Sequence, residues 1–550
     1  FEFTTSGIGG GGGGTPSATG FYSQLRNFSG YSLSPIWPQL TAIKQAPDGK
    51  YYMAGYANYN NEGGWIAQFD EDGTFSWIRK IGNGYLRLYD LIFDGNDPIV
   101  MGADAGYGNN FPTYSPYLGY VAKFDSSGNR TWSKIFRPNN ILSNSYAPGN
   151  FFADVEKDSY GNFWCTFAYP NAQNSPVTYA EDVCGLMKFN SSGVFQGCYL
   201  LPPSGTNPRC LAQTLFIDGN DNMYLGFTTY DPTATSYPHG NISKFTINSS
   251  GVPSYAWTKS YGQNYGGAHY DVPQRMYKSS DGNLIVGGYT QQSLVSNDYY
   301  PTLMKLNDAT GDFIWKKRYD KTYGESQGGT SAITSGDKIF MFGDSYNNGT
   351  SHYEYFIREI DASDGSHVAM HEFDFDGQAN PSVDNLSYSW SQWRNTSPKQ
   401  SFQLNKDGNI ICGFIPNGNG FDYRPSFAKF PSSMITGTFG GGTGTYSGNL
   451  TIAVKSVTPT DYTYAATDMT YASFSTINDV SSDYQMDNYN SGAKNDTVST
   501  PTVVDQTGAI GSSGGGAASY FGNKALFAGS SNKNPGQIDT LDITTVDNAT

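Results

Sequence analysis

The stretch that decides the fold is Phe124-Asp125-Ser126-Ser127-Gly128-Asn129-Arg130-Thr131-Trp132-Ser133-Lys134-Ile135. Ala122 and Phe124 alternate with polar neighbours, as on a strand with one buried face. Asp125 brings a side chain that can accept from its own backbone, and Gly128 tolerates positive φ. Trp132 and Ile135 begin a return strand. The reading is strand, tight turn, strand.

The unit recurs. Phe69-Asp70-Glu71-Asp72-Gly73 leads to Trp77, and Phe189-Asn190-Ser191-Ser192-Gly193 leads to Phe195. Asn248-Ser249-Ser250-Gly251 leads to Trp257, Asn307-Asp308-Ala309-Thr310-Gly311 to Trp315, and Ile360-Asp361-Ala362-Ser363-Asp364-Gly365 to Val368. The aromatic positions Trp77, Trp132, Phe195, Trp257 and Trp315 are 55 to 63 residues apart. A second hairpin alternates with the first. Its turns are Pro47-Asp48-Gly49, Phe93-Asp94-Gly95-Asn96, Asp158-Ser159-Tyr160-Gly161-Asn162 and Asp218-Gly219-Asn220-Asp221-Asn222, then Ser280-Asp281-Gly282-Asn283, Ser335-Gly336-Asp337 and Lys406-Asp407-Gly408-Asn409. Seven such hairpins predict an all-β chain with a seven-bladed β-propeller over residues 20–440, each blade a four-stranded A–B–C–D sheet.

Phe21-Tyr22-Ser23-Gln24-Leu25-Arg26 resembles the return strand Thr131–Phe136, with Tyr22 in the tryptophan place, yet has no preceding strands of its own. Strand 20–28 is therefore expected to complete the last blade and close the ring, which removes an exposed sheet edge. Before it, residues 1–19 contain Gly9–Gly14 and read as a flexible tether. They lack the Gly-Lys-Ser/Thr sequel of a phosphate-binding loop. Residues 441–550 read as a Gly/Ser/Thr-rich β extension with a thin core, packed on the propeller or on neighbouring copies. Insertions such as Gly106–Leu118, Tyr169–Asp182 and Thr229–Gly240 separate strands B and C and are expected to form a contact rim. The chain opens on Phe1 with no leader sequence in view, and both ends are expected to be trimmed.

Composition narrows the function. The net charge is −15 and only 15% of residues are charged, with no basic patch for nucleic acid. No apolar run approaches the roughly 18 to 20 residues of a membrane span, so no membrane insertion is expected. Cys165, Cys184, Cys198, Cys210 and Cys412 are odd in number and do not form a disulfide scaffold. Cys165 could face Cys184 across a sheet, but buried free thiols are the favoured reading.

Candidate chemistry is sparse. Asp218, Asn220 and Asp221 crowd one loop that could hold calcium, but no distal Glu completes a calcium loop, and structural turns are favoured. His239, His269, His352, His367 and His371 show no metal spacing, and His367 and His371 are expected on the surface or on an edge strand. No nucleophile elbow is present. Carboxylates paired between blades for glycan cleavage would leave no linear motif. No catalytic, cofactor-binding or metal-binding residue is assigned.

The turn Asn307–Gly311 with Trp315 resembles the repeat of pyrroloquinoline-quinone dehydrogenases, and the Asp-turn-Trp pattern resembles the Asp-boxes of sialidases. In both families the resemblance implies a structural motif. The adjacent cysteines of the former and the arginine triad of the latter are missing. Lys429-Phe430-Pro431-Ser432-Ser433 through Thr443-Gly444-Thr445-Tyr446, with Tyr464-Ala465-Ala466, resembles a segment following propeller-like repeats in large virion proteins of marine tailed phages, especially those infecting cyanobacteria. Ile538–Thr550 is similar to a strand motif repeated in the same proteins. That resemblance implies a non-enzymatic virion structural protein: a tail, fibre or capsid-associated appendage. Its partners would be other virion proteins or copies of itself, with a host-surface glycan or protein at the propeller rim. The alternatives are a secreted bacterial surface adhesin or lectin and, last, a glycan-cleaving enzyme.

Overall fold

The structure, a computed structural model, describes residues 21–24, the sheets and tight turns within 38–433, and isolated strands beyond. The tether, the long connections including the three insertions, and the two glycine clusters Gly440–Gly442 and Gly511–Gly516 lie outside the described residues.

Among the described residues all regular structure is strand. A short strand, β1 (Phe21–Gln24), comes first. Blade 1 is β2 (Pro38–Gln45), β3 (Tyr51–Ala57), β4 (Gly63–Phe69) and β5 (Phe75–Ile81). Blade 2 is β6 (Leu86–Asp94), β7 (Asp97–Asp104), β8 (Leu118–Phe124) and β9 (Arg130–Pro138). Blade 3 is β10 (Phe151–Lys157), β11 (Phe163–Tyr169), β12 (Val183–Phe189) and β13 (Phe195–Leu201). Blade 4 is β14 (Arg209–Ile217), β15 (Asn222–Tyr230), β16 (His239–Ile247) and β17 (Pro253–Ser260). Blade 5 is β18 (Tyr270–Lys278), β19 (Leu284–Gln291), β20 (Tyr299–Leu306) and β21 (Phe313–Tyr319). Blade 6 has an accessory strand, β22 (Gly324–Gln327), beside β23 (Ser331–Ser335), β24 (Lys338–Asn347), β25 (His352–Asp361) and β26 (His367–Phe375). Blade 7 is β27 (Phe402–Leu404), β28 (Asn409–Phe414) and β29 (Ser426–Pro431), completed on the outside by β1.

The sheets are arranged as the expected seven-bladed propeller. Each A strand touches the A strand of the next blade, and β2 touches β27, which closes the inner ring. Seven clusters of buried apolar side chains follow, one between each neighbouring pair of blades. No blade can bury both faces alone, so this stacking is the core.

The closing strand pairs antiparallel with β29, as the sequence suggests, but one residue out of the expected place. In blades 1, 2, 4 and 5 the tryptophan lies opposite the strand C residue just before the register shift, which an apolar residue follows: Gln68–Trp77, Lys123–Trp132, Lys244–Trp257 and Lys305–Trp315. The equivalent of these in blade 7 is Lys429, and it faces Phe21, not Tyr22. Blade 3 needs a similar correction. Lys188 faces Gly197, while Phe195 pairs with Phe189 beyond a register shift. The tryptophan place in that blade is therefore a glycine.

These positions fasten each blade to the next, except blade 6 to blade 7. Trp132 Nε1 donates to Ser191 O of blade 3 at 3.1 Å, and Trp77 Nε1 to Ser126 O of blade 2 at 3.1 Å. Lys244 Nζ and Trp257 Nε1 both donate to Asp308 O, at 3.1 and 3.2 Å. Lys305 Nζ and Trp315 Nε1 both reach Ala362 O, at 3.0 and 3.4 Å. Where Gly197 replaces tryptophan, Lys188 alone reaches Gly251 O at 2.7 Å. Lys429 Nζ reaches Glu71 O at 3.2 Å and carries the pattern across the chain ends.

The turn glycine serves twice here. Gly128 has φ +80°, and a Cβ at that position would stand 2.9 Å from the Trp77 ring. Gly161 has φ +84° but open space around it. Gly128→Ala is therefore expected to cost about 2 to 4 kcal/mol, from backbone strain plus overpacking, and Gly161→Ala about 1 to 2 from strain alone. Urea unfolding of the two variants side by side checks the order. Equal losses would remove the packing role.

Beyond blade 7 the chain turns back on itself. The strand β30 (Gly437–Phe439) pairs with β31 (Leu450–Val454), which adds to β26 on the outside of blade 6. β32 (Asp461–Thr463) adds to β21 of blade 5, β33 (Asn478–Asp479) to β13 of blade 3, and β34 (Tyr484–Asn488) to β9 of blade 2. The C-terminal chain thus passes round the ring against the order of the blades, as a belt of added strands. A separate three-stranded sheet follows: β35 (Ala518–Phe521), β36 (Lys524–Ala528) and β37 (Ile538–Asp542).

Candidate functional site

The turns that first suggested ion binding are occupied by their own backbone. Asp125 Oδ1 accepts from Ser127 N at 2.9 Å and Asn129 N at 2.8 Å, and its Oδ2 from Asn129 Nδ2 at 3.0 Å. Slight burial pushes this carboxyl up, but those donors outweigh it and hold it below the usual carboxylate range. Asp218 Oδ1 accepts from Asn220 N and Asn222 N at 2.9 and 3.0 Å. Asp221, at φ 58°, turns to blade 3, where it accepts from Ser159 N at 2.8 Å and Ser159 Oγ at 2.5 Å. The loop is a joint between blades.

Two cysteine expectations are corrected. Cys184 on β12 is bonded to Cys210 on β14, linking blades 3 and 4. Cys165 faces Met187 in the register, so it cannot reach Cys184 on the same ladder. Cys165, Cys198 and Cys412 are buried free thiols. The histidine expectation also fails at one position. His371 is 5% exposed, because β26 is no edge: β31 pairs along it, with Val454 opposite His371.

The densest group of ionisable side chains lies at the axis, where the sequence assigned nothing. The innermost strands of the first five blades each carry a register shift against strand B. Near these bulges sit Asp90 of β6, Asp154 of β10, Thr214 of β14 and Arg275 of β18, all buried. One step further along the strands are Lys44, Glu156 and Tyr277, partly exposed as residues, with the Glu156 carboxyl and the Tyr277 phenol turned into the protein.

The geometry is a chain of ties from blade to blade. Lys44 Nζ lies 3.1 Å from Asp90 Oδ1. Asp90 Oδ2 accepts from Val155 N of blade 3 at 3.3 Å. Asp154 accepts from Val155 N at 3.0 Å and, across the next interface, from Thr214 Oγ1 at 2.8 Å and Leu215 N at 2.9 Å. Arg275 Nη1 reaches from blade 5 to Phe402 O of blade 7 at 2.5 Å.

Burial dominates the electrostatics. It pushes the Asp90 carboxyl up to about 7, with Asp154 adding to the rise and Lys44 opposing it. It pushes Glu156 up to about 8, again against Lys44 and with Asp154 and Asp90 adding. Burial likewise raises the Tyr277 phenol. Near neutrality this group holds protons that exposed carboxyls would have released. Its components come from strands roughly 60 residues apart, so the only trace in the sequence is an acid inside an otherwise apolar strand, as in Leu88-Tyr89-Asp90-Leu91.

No family model and no curated protein matches the chain. Solved structures are similar to it in outline only. A protein of unknown function from Dyadobacter fermentans DSM 18053 is 9% identical, with TM-score 0.37, over 75% of this chain and 99% of its own. The endo-arabinase from Bacteroides thetaiotaomicron VPI-5482 is 12% identical, with TM-score 0.30, over 51% of this chain and 97% of its own. A glucose dehydrogenase is 11% identical, with TM-score 0.34, over 75% of this chain and 99% of its own.

Proposed function

We propose that this chain is a non-enzymatic structural protein of a phage particle, a propeller mounted as a tail, fibre or capsid-associated appendage whose rim meets a host-surface glycan or protein. The observation that carries the reading is the double fastening of the ring. The N-terminal strand completes blade 7 and the C-terminal chain adds strands to blades 6, 5, 3 and 2. Sheet edges are what an exposed β protein must cover, and here strands from before and after the repeats lie on them. The disulfide between blades suits a site outside the reducing cytoplasm. The sequence resemblance at 429–466 and 538–550 adds the particle.

The glycan-cleaving reading keeps one specific support: carboxylates gathered at the axis with raised pKa values. Against it, Asp90 and Asp154 are 0% exposed and engaged by Lys44, Thr214 and backbone N–H groups. A sugar ring needs room between its two carboxyls.

Mass spectrometry and a reconstruction of purified phage particles test the proposal. The expected result is this chain at fixed stoichiometry and a seven-bladed ring at symmetry-related positions. Recovery only as a free secreted monomer would sink it. Release of reducing ends from a polysaccharide panel, abolished by Glu156→Gln, would favour the enzyme instead.

A further inference from the structure

The joint between blades 6 and 7 differs from every other. Elsewhere a lysine or glutamine on strand C, or in blade 2 the facing Trp132, meets the next blade. In blade 6 those places are Glu359 and Ala369, opposite one another. The reason lies in the topology. Blade 7 takes its outer strand from β1, so no C–D turn follows β29 for a blade 6 side chain to grip. The chain leaves β29 and returns to blade 6 as β31, so the belt begins at the joint that lacks the usual fastening.

His371 sits at that point. It is in register with Ile357 on one side and with Val454 of β31 on the other. Its Nε2 stands 3.5 Å from Glu359 Oε2, and Glu359 is also paired with Lys338 of β24. The strand β31, Leu450–Val454, contains no titratable residue. The apolar cluster between blades 6 and 7 includes Ile357 and Phe373 with Phe402, Phe414 and Phe430, and its titratable groups are the phenols of Tyr355 and, packed against it, Tyr277, with the buried Cys412 thiol, held protonated by burial. A charged imidazole here therefore faces one anion already shared with a cation.

We infer that β31 is a pH-sensitive clasp: protonation of His371 on acidification frees the first strand of the belt from blade 6 and uncovers the edge of β26. Burial lowers the basicity of His371, Glu359 opposes this, and Lys338 adds to the lowering. The clasped form therefore binds the proton less well than the open form. Its stability is complete above the ordinary histidine value of about 6.5 and falls as pH drops below it.

Hydrogen exchange read by mass spectrometry, corrected for intrinsic exchange, tests this on the full chain. Peptides covering 437–454 and 367–375 should open measurably more at pH 5 than at pH 8, because the clasped form binds the proton less well than the open form. Peptides from β15 and β16 should not change. In His371→Gln the step should vanish. Removing the anion in Glu359→Gln should keep the onset near the ordinary histidine value and enlarge the acid-side step, because the clasped form then binds the proton less well still. Equal protection at both pH values in the parent, or a step that survives in His371→Gln, overturns the clasp. If His371→Gln does not fold, Glu359→Gln decides: an acid-side step that is unchanged or smaller overturns it.

Discussion

Asp154→Ala should destabilise the ring by about 3 to 5 kcal/mol, the range for stripping a buried charge-accepting group from its donors. Three donors lose this acceptor together: Thr214 Oγ1, Leu215 N and Val155 N, the last keeping only Asp90 Oδ2. Two of them belong to blade 4, so the loss falls on an interface and not within one sheet. Asp154→Asn keeps an acceptor in place and should recover about half of the loss. Denaturant unfolding measures both. A loss below about 1 kcal/mol for alanine, the scale of an ordinary surface change, would mean that the axial ties are not what holds blades 3 and 4 together.

The second large effect is on the pH dependence of stability. Asp90 and Glu156 have folded-state pKa values of about 7 and about 8, raised by burial above the carboxylate values they would have unfolded. The folded chain therefore holds protons that the unfolded chain has released. That contribution is complete below about pH 4 and is lost as pH rises through the folded values near 7 and 8. Thermal unfolding should show a melting temperature that falls between pH 6 and pH 9. Groups facing these two are Lys44 of blade 1, Asp154 of blade 3, and Arg275 and Tyr277 of blade 5. Replacing Asp90 with Asn removes one titration and should flatten the curve. A melting temperature that rises over that interval would contradict the raised values. The trend runs opposite to the His371 clasp, which loosens on the acid side, so local exchange and global melting separate the two.

The fold was legible because its signals are local. An Asp that accepts from the N–H groups two and four residues on, with a glycine at positive φ between them, closes a turn and needs no partner elsewhere. Seven repetitions then give the architecture. The ring closure was legible for a related reason: β1 is a strand without a hairpin of its own. Register was not legible, because a shift of one residue leaves the pattern of residue types almost unchanged. Phe21 and Tyr22 are both aromatic, and only pairing with Lys429 separates them. In blade 3 a bulge moves the frame, so Phe195 resembles the tryptophans without occupying their place. Cys184 finds Cys210 in the next blade, a relation between sheets that strand alternation does not encode. The axial group is the extreme case. Asp90, Asp154 and Arg275 become neighbours only once the ring has closed.

The reach of that closure sets a schedule for making the protein. Gln24 must find Ser426, its partner on β29. Roughly four hundred residues separate the two, and a ribosome adding about 5 to 20 residues each second takes about 20 to 80 seconds to supply them. Through that interval the nascent chain carries a solitary aromatic strand and a stack of blades with both flanks open. The belt emerges later still and can settle only on blades already in place. Of the two fastenings, the one encoded first must be made late, and until then β1 is a strand without a partner.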